Sequence, residues 1–134
     1  MTSTSTNRPR VLLADDQAAN RQLLRALLEA DFEVVAVVQD GQGLIDAATR
    51  LSPDVIVTDI TMPILDGIAA AQEILRRNAS ARVVFVTVHA DPAIVRRGLA
   101  IGGLGYVLKV SAGEHLVPAV WAAFRGERWC LCKS

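Results

Sequence analysis

Hydrophobic and polar positions along the chain alternate between two kinds of stretch, short β-branched runs and longer segments with apolar residues at helical spacing. Arg10-Val-Leu-Leu-Ala14, Phe32–Val38, Val55–Asp59, Val83–Val88 and Gly105–Lys109 are the short runs. Near-continuous apolar runs of this kind predict strands buried on both faces. Between them, Leu23/Leu27 and Leu24/Leu28 predict a helix over about Ala19–Ala30, and Leu44, Ala47, Ala48 and Leu51 one over Gly43–Leu51. A third helix is expected from about Leu65 to Asn78 with Ile68, Ala71 and Leu75 as its buried stripe. Asp91-Pro92 starts a fourth, with Asp as cap and Pro in the first turn, and Gly102-Gly103 ends it. Ser111 with Glu114 reads as a capping box for a last helix, its stripe Leu116/Val117, Val120 and Phe124, ended by Gly126. Strict β–α alternation implies a doubly wound parallel sheet with helices on both faces.

Composition narrows the field. At 134 residues, 51% hydrophobic and 21% charged, the chain suits one folded domain. Lys+Arg and Asp+Glu are 14 each, so no net field favours nucleic acid or anionic lipid. No apolar run approaches the roughly 18 residues that span a bilayer, and Met1–Asn7 lacks a signal-peptide core, so a cytoplasmic location is expected by default. Cys130 and Cys132 form a lone C-x-C, a weak metal signal read as incidental. Residues 1–9 are expected to be a flexible tail, 10–126 the domain, and 127–134 a tail or linker stub.

The chemistry lies at the carboxyl ends of the strands, which share one edge in a parallel sheet and form its ligand site. The first strand delivers Asp15 and Asp16, the third Asp59, the fourth Thr87 and the fifth Lys109. Each has an ordinary explanation alone: turn chemistry for the acidic pair, strand propensity for Thr87, a solvated end for Lys109. Together they crowd three carboxylates that need a cation between them, and an all-oxygen site of this size suits Mg²⁺. The lysine and hydroxyl complement a phosphoryl group, with Asp59 as carboxylate nucleophile.

The pair Asp15-Asp16, the stretch Asp59-x-x-Met62-Pro63-x-x-Asp66-Gly67, Thr87, and Gly105-Tyr106-x-x-Lys109 resemble the receiver domain of two-component response regulators over about Arg10–Gly126. The resemblance implies a flavodoxin-like (CheY-like) five-stranded sheet of order 2-1-3-4-5. It implies Asp59 as phosphoacceptor from a sensor histidine kinase or small acyl phosphate. It implies Mg²⁺, or Mn²⁺ in its place, held by Asp15, Asp16, Asp59 and the backbone carbonyl of Thr61. Lys109 and Thr87 would bind the phosphoryl group, and Tyr106 would rotate inward as Thr87 moves, repacking the face of the fourth helix, fifth strand and fifth helix. The ordinary alternative for Tyr106 is a surface ring packed on a helix. His89 occupies a position that tunes dephosphorylation in this family.

Val110 stands where many receivers carry proline, and the Lys109–Val110 bond is expected to be trans. That departure, with Gly105–Lys109 and Phe124–Arg128, resembles the NarL/FixJ-type subclass with LuxR-type output. The chain ends about where the linker to such an output domain would begin. The expected role is a phosphorylation-controlled module acting on a downstream protein or fused output domain, without binding nucleic acid or membrane itself. The aromatic last helix (Trp121, Phe124) leaves a phosphorylation-dependent homodimer open. A Mg²⁺-dependent phosphatase with an aspartyl nucleophile is the alternative. It usually needs an acid two residues after the nucleophile, where this chain has Thr61.

Overall fold

In the computed structural model, residues 8–88 and 91–130 are described, Cys130 by its backbone alone. Six strands, β1 (Arg10–Ala14), β2 (Glu33–Val38), β3 (Val55–Asp59), β4 (Val83–Thr87), β5 (Gly105–Leu108) and β6 (Trp129–Cys130), form one parallel sheet of order β2-β1-β3-β4-β5-β6. The five expected strands stand in the expected order, and β6 adds a sixth within the stretch read as a tail. Helices α1 (Ala18–Glu29), α2 (Gly41–Leu51), α3 (Gly67–Arg77), α4 (Pro92–Ala100) and α5 (Ala112–Phe124) fill the crossovers.

Alternation along each strand feeds two core layers. Leu12, Ile56, Phe85 and Tyr106 face α2, α3 and α4. Val11, Leu13, Val57, Val86 and Val107 face α1 and α5. With both faces covered, β1, β3 and β4 carry near-continuous apolar runs, and each buried Leu or Val contributes about 1.5–3 kcal/mol. The edge strand β2 is only half buried.

Several boundaries differ from expectation for local reasons. Asp40 accepts from the Gly43 amide (2.7 Å), so α2 begins at Gly41 rather than Gly43. Asp66 accepts from the Ala69 amide (2.8 Å), so α3 begins at Gly67 rather than Leu65. The α3 stripe runs through Ile68, Ala71 and Ile74, and Leu75 packs only at its margin. On α2, likewise, Ile45 is buried and Leu51 marginal. The expected capping box at Ser111 is absent: Lys109–Ser111 is a 3-10 turn running straight into α5, and Ser111 makes no side-chain capping bond. A serine already inside a helical turn lacks the extended conformation a cap requires. On α5, Ala119 and Ala123 join Leu116 and Val120 in the core, while Val117 and Phe124 are partly buried. Pro118 sits within α5 on its solvent side. Trp121 is also drawn inward, its indole donating to Asp31 (3.1 Å) and its ring tilted on Phe32 (4.9 Å between centroids). Asp91 caps α4 through the Ala93 amide (2.9 Å), with Pro92 in its first turn.

Candidate functional site

The carboxyl ends of β1, β3, β4 and β5 lie together, and their polar residues are the buried ones. Among the described residues the buried polar side chains are Asp15, Thr58, Asp59 and Thr87. Thr58 donates to the carbonyl of Asp59 (2.8 Å) and serves the strand end itself. Asp15 is fully buried; its Oδ1 accepts from the Gln17 amide (3.0 Å), and its own amide donates to Val38 (3.1 Å). Asp16, next in the chain, is exposed at the mouth.

Asp59 is 6% exposed. Its Oδ1 accepts from the Ile60 amide at 2.7 Å and its Oδ2 from the Lys109 ammonium at 3.1 Å. The same ammonium lies 2.8 Å from Asp15 Oδ2, an ion pair that lacks hydrogen-bond geometry. Thus Lys109 bridges two carboxylates, and one oxygen of fully buried Asp15 has no hydrogen bond.

The electrostatics follow from burial. Desolvation pushes the Asp59 carboxyl above its ordinary range; Lys109 opposes this, and the nearby Asp15 charge adds to it. Burial works against the Lys109 charge, but its close contacts with the Asp15 and Asp59 carboxylates outweigh it and raise the lysine. Carboxylate oxygens of Asp15, Asp16 and Asp59 lie within 4.8 Å of one another. Three carboxylate oxygens so close make an acidic pocket that could hold a divalent cation.

The loop after β3 shapes the mouth. Gly67 donates to Ile60 (2.7 Å) and tucks against the strand end; a Cβ there would lie 1.9 Å from the Asp59 carbonyl oxygen, which only glycine avoids. Met62 is buried in the core, while Thr61 and Pro63 are exposed. The Leu65 amide donates to Pro63 (2.7 Å) across Ile64, whose φ is 71°. That is the strained form of a three-residue turn, and it leaves Ile64 79% exposed.

Thr87 is 5% exposed at the end of β4. Tyr106 is 2% exposed, its ring 6.4 Å from that of Phe85, so the expected alternative of a surface ring is corrected: the ring is inside. Burial, with the Asp91 charge adding, pushes its phenol up to about 12. His89 and Cys132 lie outside the described residues, as does the side chain of Cys130. The described residues contain no cis peptide bond, so Lys109–Val110 is trans as expected.

Sequence reasoning did not find His115 beside Trp129. Its Nδ1 is buried without a hydrogen-bond partner, and its ring lies 5.0 Å from the indole. One unpaired histidine on a helix gave no signal for that contact.

A parallel sheet that gathers an acidic trio, a lysine and a buried threonine at one edge defines a phosphoacceptor-type α/β module. The family model of the response regulator receiver domain matches residues 11–121, and the chain belongs to that family. Such domains accept a phosphoryl group and switch, and they work with histidine kinases and output domains. The relatives are of the LuxR/NarL type. Transcriptional regulatory protein LiaR of Bacillus subtilis is 38% identical over 120 residues, 88% of this chain and 57% of that protein. A LuxR-family response regulator from Aurantimonas sp. SI85-9A1 superposes with a TM-score of 0.87 at 31% identity, covering 92% of this chain and 89% of that one. The signal receiver domain of NarL from Mycobacterium tuberculosis gives 0.85 at 30%, covering 90% and 98%. This chain spans just over half the length of the first curated relatives it matches. No helix among the described residues is long and apolar enough to cross a membrane.

Proposed function

We propose that Asp59 is the phosphoacceptor of a cytoplasmic signalling switch supplied by a sensor histidine kinase. The observation that carries this is the buried Asp59 carboxylate, held between the Ile60 amide and Lys109 in a pocket shared with Asp15 and Asp16. Asp15, Asp16, Asp59 and the Thr61 carbonyl would hold Mg²⁺, or Mn²⁺ in its place. The ion, when bound, neutralises charge shared among the carboxylates and the phosphoryl oxygens.

The chain's own groups do the rest. The Ile60 amide fixes one Asp59 oxygen and leaves Oδ2 toward Lys109 as the attacking atom. An O–P bond forms to Asp59 as the bond from phosphorus to the donor's nitrogen or oxygen breaks, the electron pair leaving with the donor. No general base is needed, since the nucleophile is a carboxylate. Lys109 then pairs with the phosphoryl group instead of Asp59, and the Thr87 hydroxyl donates to it. Thr61 supplies no acid for rapid hydrolysis, which favours a switch over a turnover phosphatase. Drawing Thr87 inward holds Tyr106 buried and sets the α4–β5–α5 face that a partner or output domain reads. Joined to a DNA-binding domain, as the transcriptional relatives suggest, that output would be control of transcription.

Incubation with acetyl phosphate and Mg²⁺, followed by intact mass, tests the assignment. The native chain should gain one phosphoryl group and Asp59→Asn none. An equal gain in Asp59→Asn would refute it.

A further inference from the structure

Asp15 and Asp16 sit on the short connection from β1 to α1, and the first turn of α1 reaches back to it. The Arg21 amide donates to Gln17 (2.9 Å) as the helix starts, while Gln17 makes no side-chain capping bond. Side chains on a helix point back toward its N-terminus, so Arg21 is aimed at the connection. Its Nη1 donates to the Asp15 carbonyl oxygen at 2.9 Å, half-buried. Arg21 lies between α1 and the end of β2, where it lines grooves together with Val37 and Val38.

Three bonds then fix Asp15. Its amide donates to Val38 (3.1 Å), its Oδ1 accepts from the Gln17 amide (3.0 Å), and its carbonyl accepts from Arg21. The last of these also governs the neighbour. That carbonyl belongs to the planar peptide leading to Asp16, so holding its oxygen sets the plane from which the exposed Asp16 side chain departs. Carboxylate oxygens of both residues lie within 4.8 Å of each other and of one from Asp59. Charge works in the opposite sense. A guanidinium beside the pocket repels a cation, so any help Arg21 gives to cation binding comes from aim and not from attraction.

We propose that Arg21 is a positioning residue for the cation pocket: through the Asp15 carbonyl it sets the direction of the Asp15 and Asp16 carboxylates, and with it the affinity for Mg²⁺. This rests on the reading of the pocket as a cation site in the proposed function. Groups that orient a metal's ligands without touching the metal change affinity by about 10–100-fold, and about tenfold is expected of one bond made through the backbone. A role confined to tying α1 to β1 would lower stability and leave the cation affinity of the folded chain unchanged.

Mn²⁺ is the probe, titrated into the metal-free full-length chain and followed by the electron paramagnetic resonance of the free ion. Salt at about 0.15 M damps the charge effect of the substitutions. Arg21→Met, which keeps the stem and removes the donor, should bind Mn²⁺ about tenfold more weakly than the native chain. Arg25→Met, one turn further along α1 in an exposed pair with Glu29, should stay within about twofold of native. The Mg²⁺ concentration for half-maximal labelling by acetyl phosphate should rise in Arg21→Met by the same factor as the Mn²⁺ dissociation constant. Equal or tighter Mn²⁺ binding by folded Arg21→Met overturns the proposal. So does an equal weakening in Arg25→Met, or slower labelling with no shift in the Mg²⁺ midpoint. Arg21→Gln, neutral and too short to reach the carbonyl, decides the question in the same way if Arg21→Met does not fold. A native chain that takes up no Mn²⁺ refutes the cation reading of the pocket, and the Arg21 proposal falls with it. A native chain that binds Mn²⁺, with Arg21→Met unchanged, refutes the role of Arg21 alone.

Discussion

Removing the Lys109 charge isolates what holds the acidic pocket together. Lys109→Met keeps most of the side chain's length and deletes an ammonium 2.8 Å from Asp15 and 3.1 Å from Asp59, with the three side chains 14%, 0% and 8% exposed. What remains is two carboxylates with oxygens within 4.8 Å. At an effective dielectric of about 20, their repulsion is roughly 3–4 kcal/mol. Removing one partner of a buried ion pair costs about 3–5 kcal/mol, a similar size. The variant should therefore lose about 3–5 kcal/mol at neutral pH in metal-free buffer, measured by urea unfolding. The loss should depend on pH. Without the lysine, burial and the neighbouring Asp15 charge act on Asp59 unopposed, so the repulsion is fully present above the raised folded pKa of Asp59 and fades as Asp59 takes a proton. The difference from native should thus shrink toward about pH 4–5, near the ordinary carboxyl range. Mg²⁺ should also restore part of the loss by supplying positive charge. A loss below about 1 kcal/mol, the level of an exposed pair, or a loss equal at both pH values, would refute the bridging role.

Two further outcomes follow from the same region. Because burial raises the Asp59 carboxyl, the ionised form opposes folding above its folded pKa, and the cost disappears as pH falls toward the ordinary value of 3.8. Metal-free Asp59→Asn should accordingly be more stable than native at neutral pH, with the gain vanishing in acid, as thermal melts at the two pH values would show. Ile64 holds φ 71° while 79% exposed, so Ile64→Gly should relieve strain with little lost packing and stabilise by about 1 kcal/mol in urea unfolding.

The site was legible because four of the strands, β1, β3, β4 and β5, lead an apolar run into a polar side chain, and parallel topology brings such ends together whatever the loops do. Asp15, Asp59, Thr87 and Lys109 needed only their place in the run. The features that escaped depend on geometry the pattern does not carry. A two-residue strand, Trp129–Cys130, is too short to show a period, and it pairs only because Gly126 turns the chain back. Ser111 and Glu114 have capping-box spacing, but the 3-10 turn from Lys109 consumes the residue that would cap. The expected start of α2 is two residues late and that of α3 two residues early, because the apolar pattern does not show that Asp40 and Asp66 cap these helices. The inward ring of Tyr106 is a choice between rotamers on one strand residue, and no sequence pattern distinguishes them.

The central claim is that one carboxylate of the three takes the phosphoryl group. Borohydride reduces an aspartyl phosphate to homoserine, so treating the acetyl phosphate product with borohydride and mapping the peptides identifies the residue directly. Homoserine at position 59, with Asp15 and Asp16 intact, is the predicted result. Homoserine at position 15 or 16, or a phosphoryl group that survives on a histidine or serine, would contradict the account.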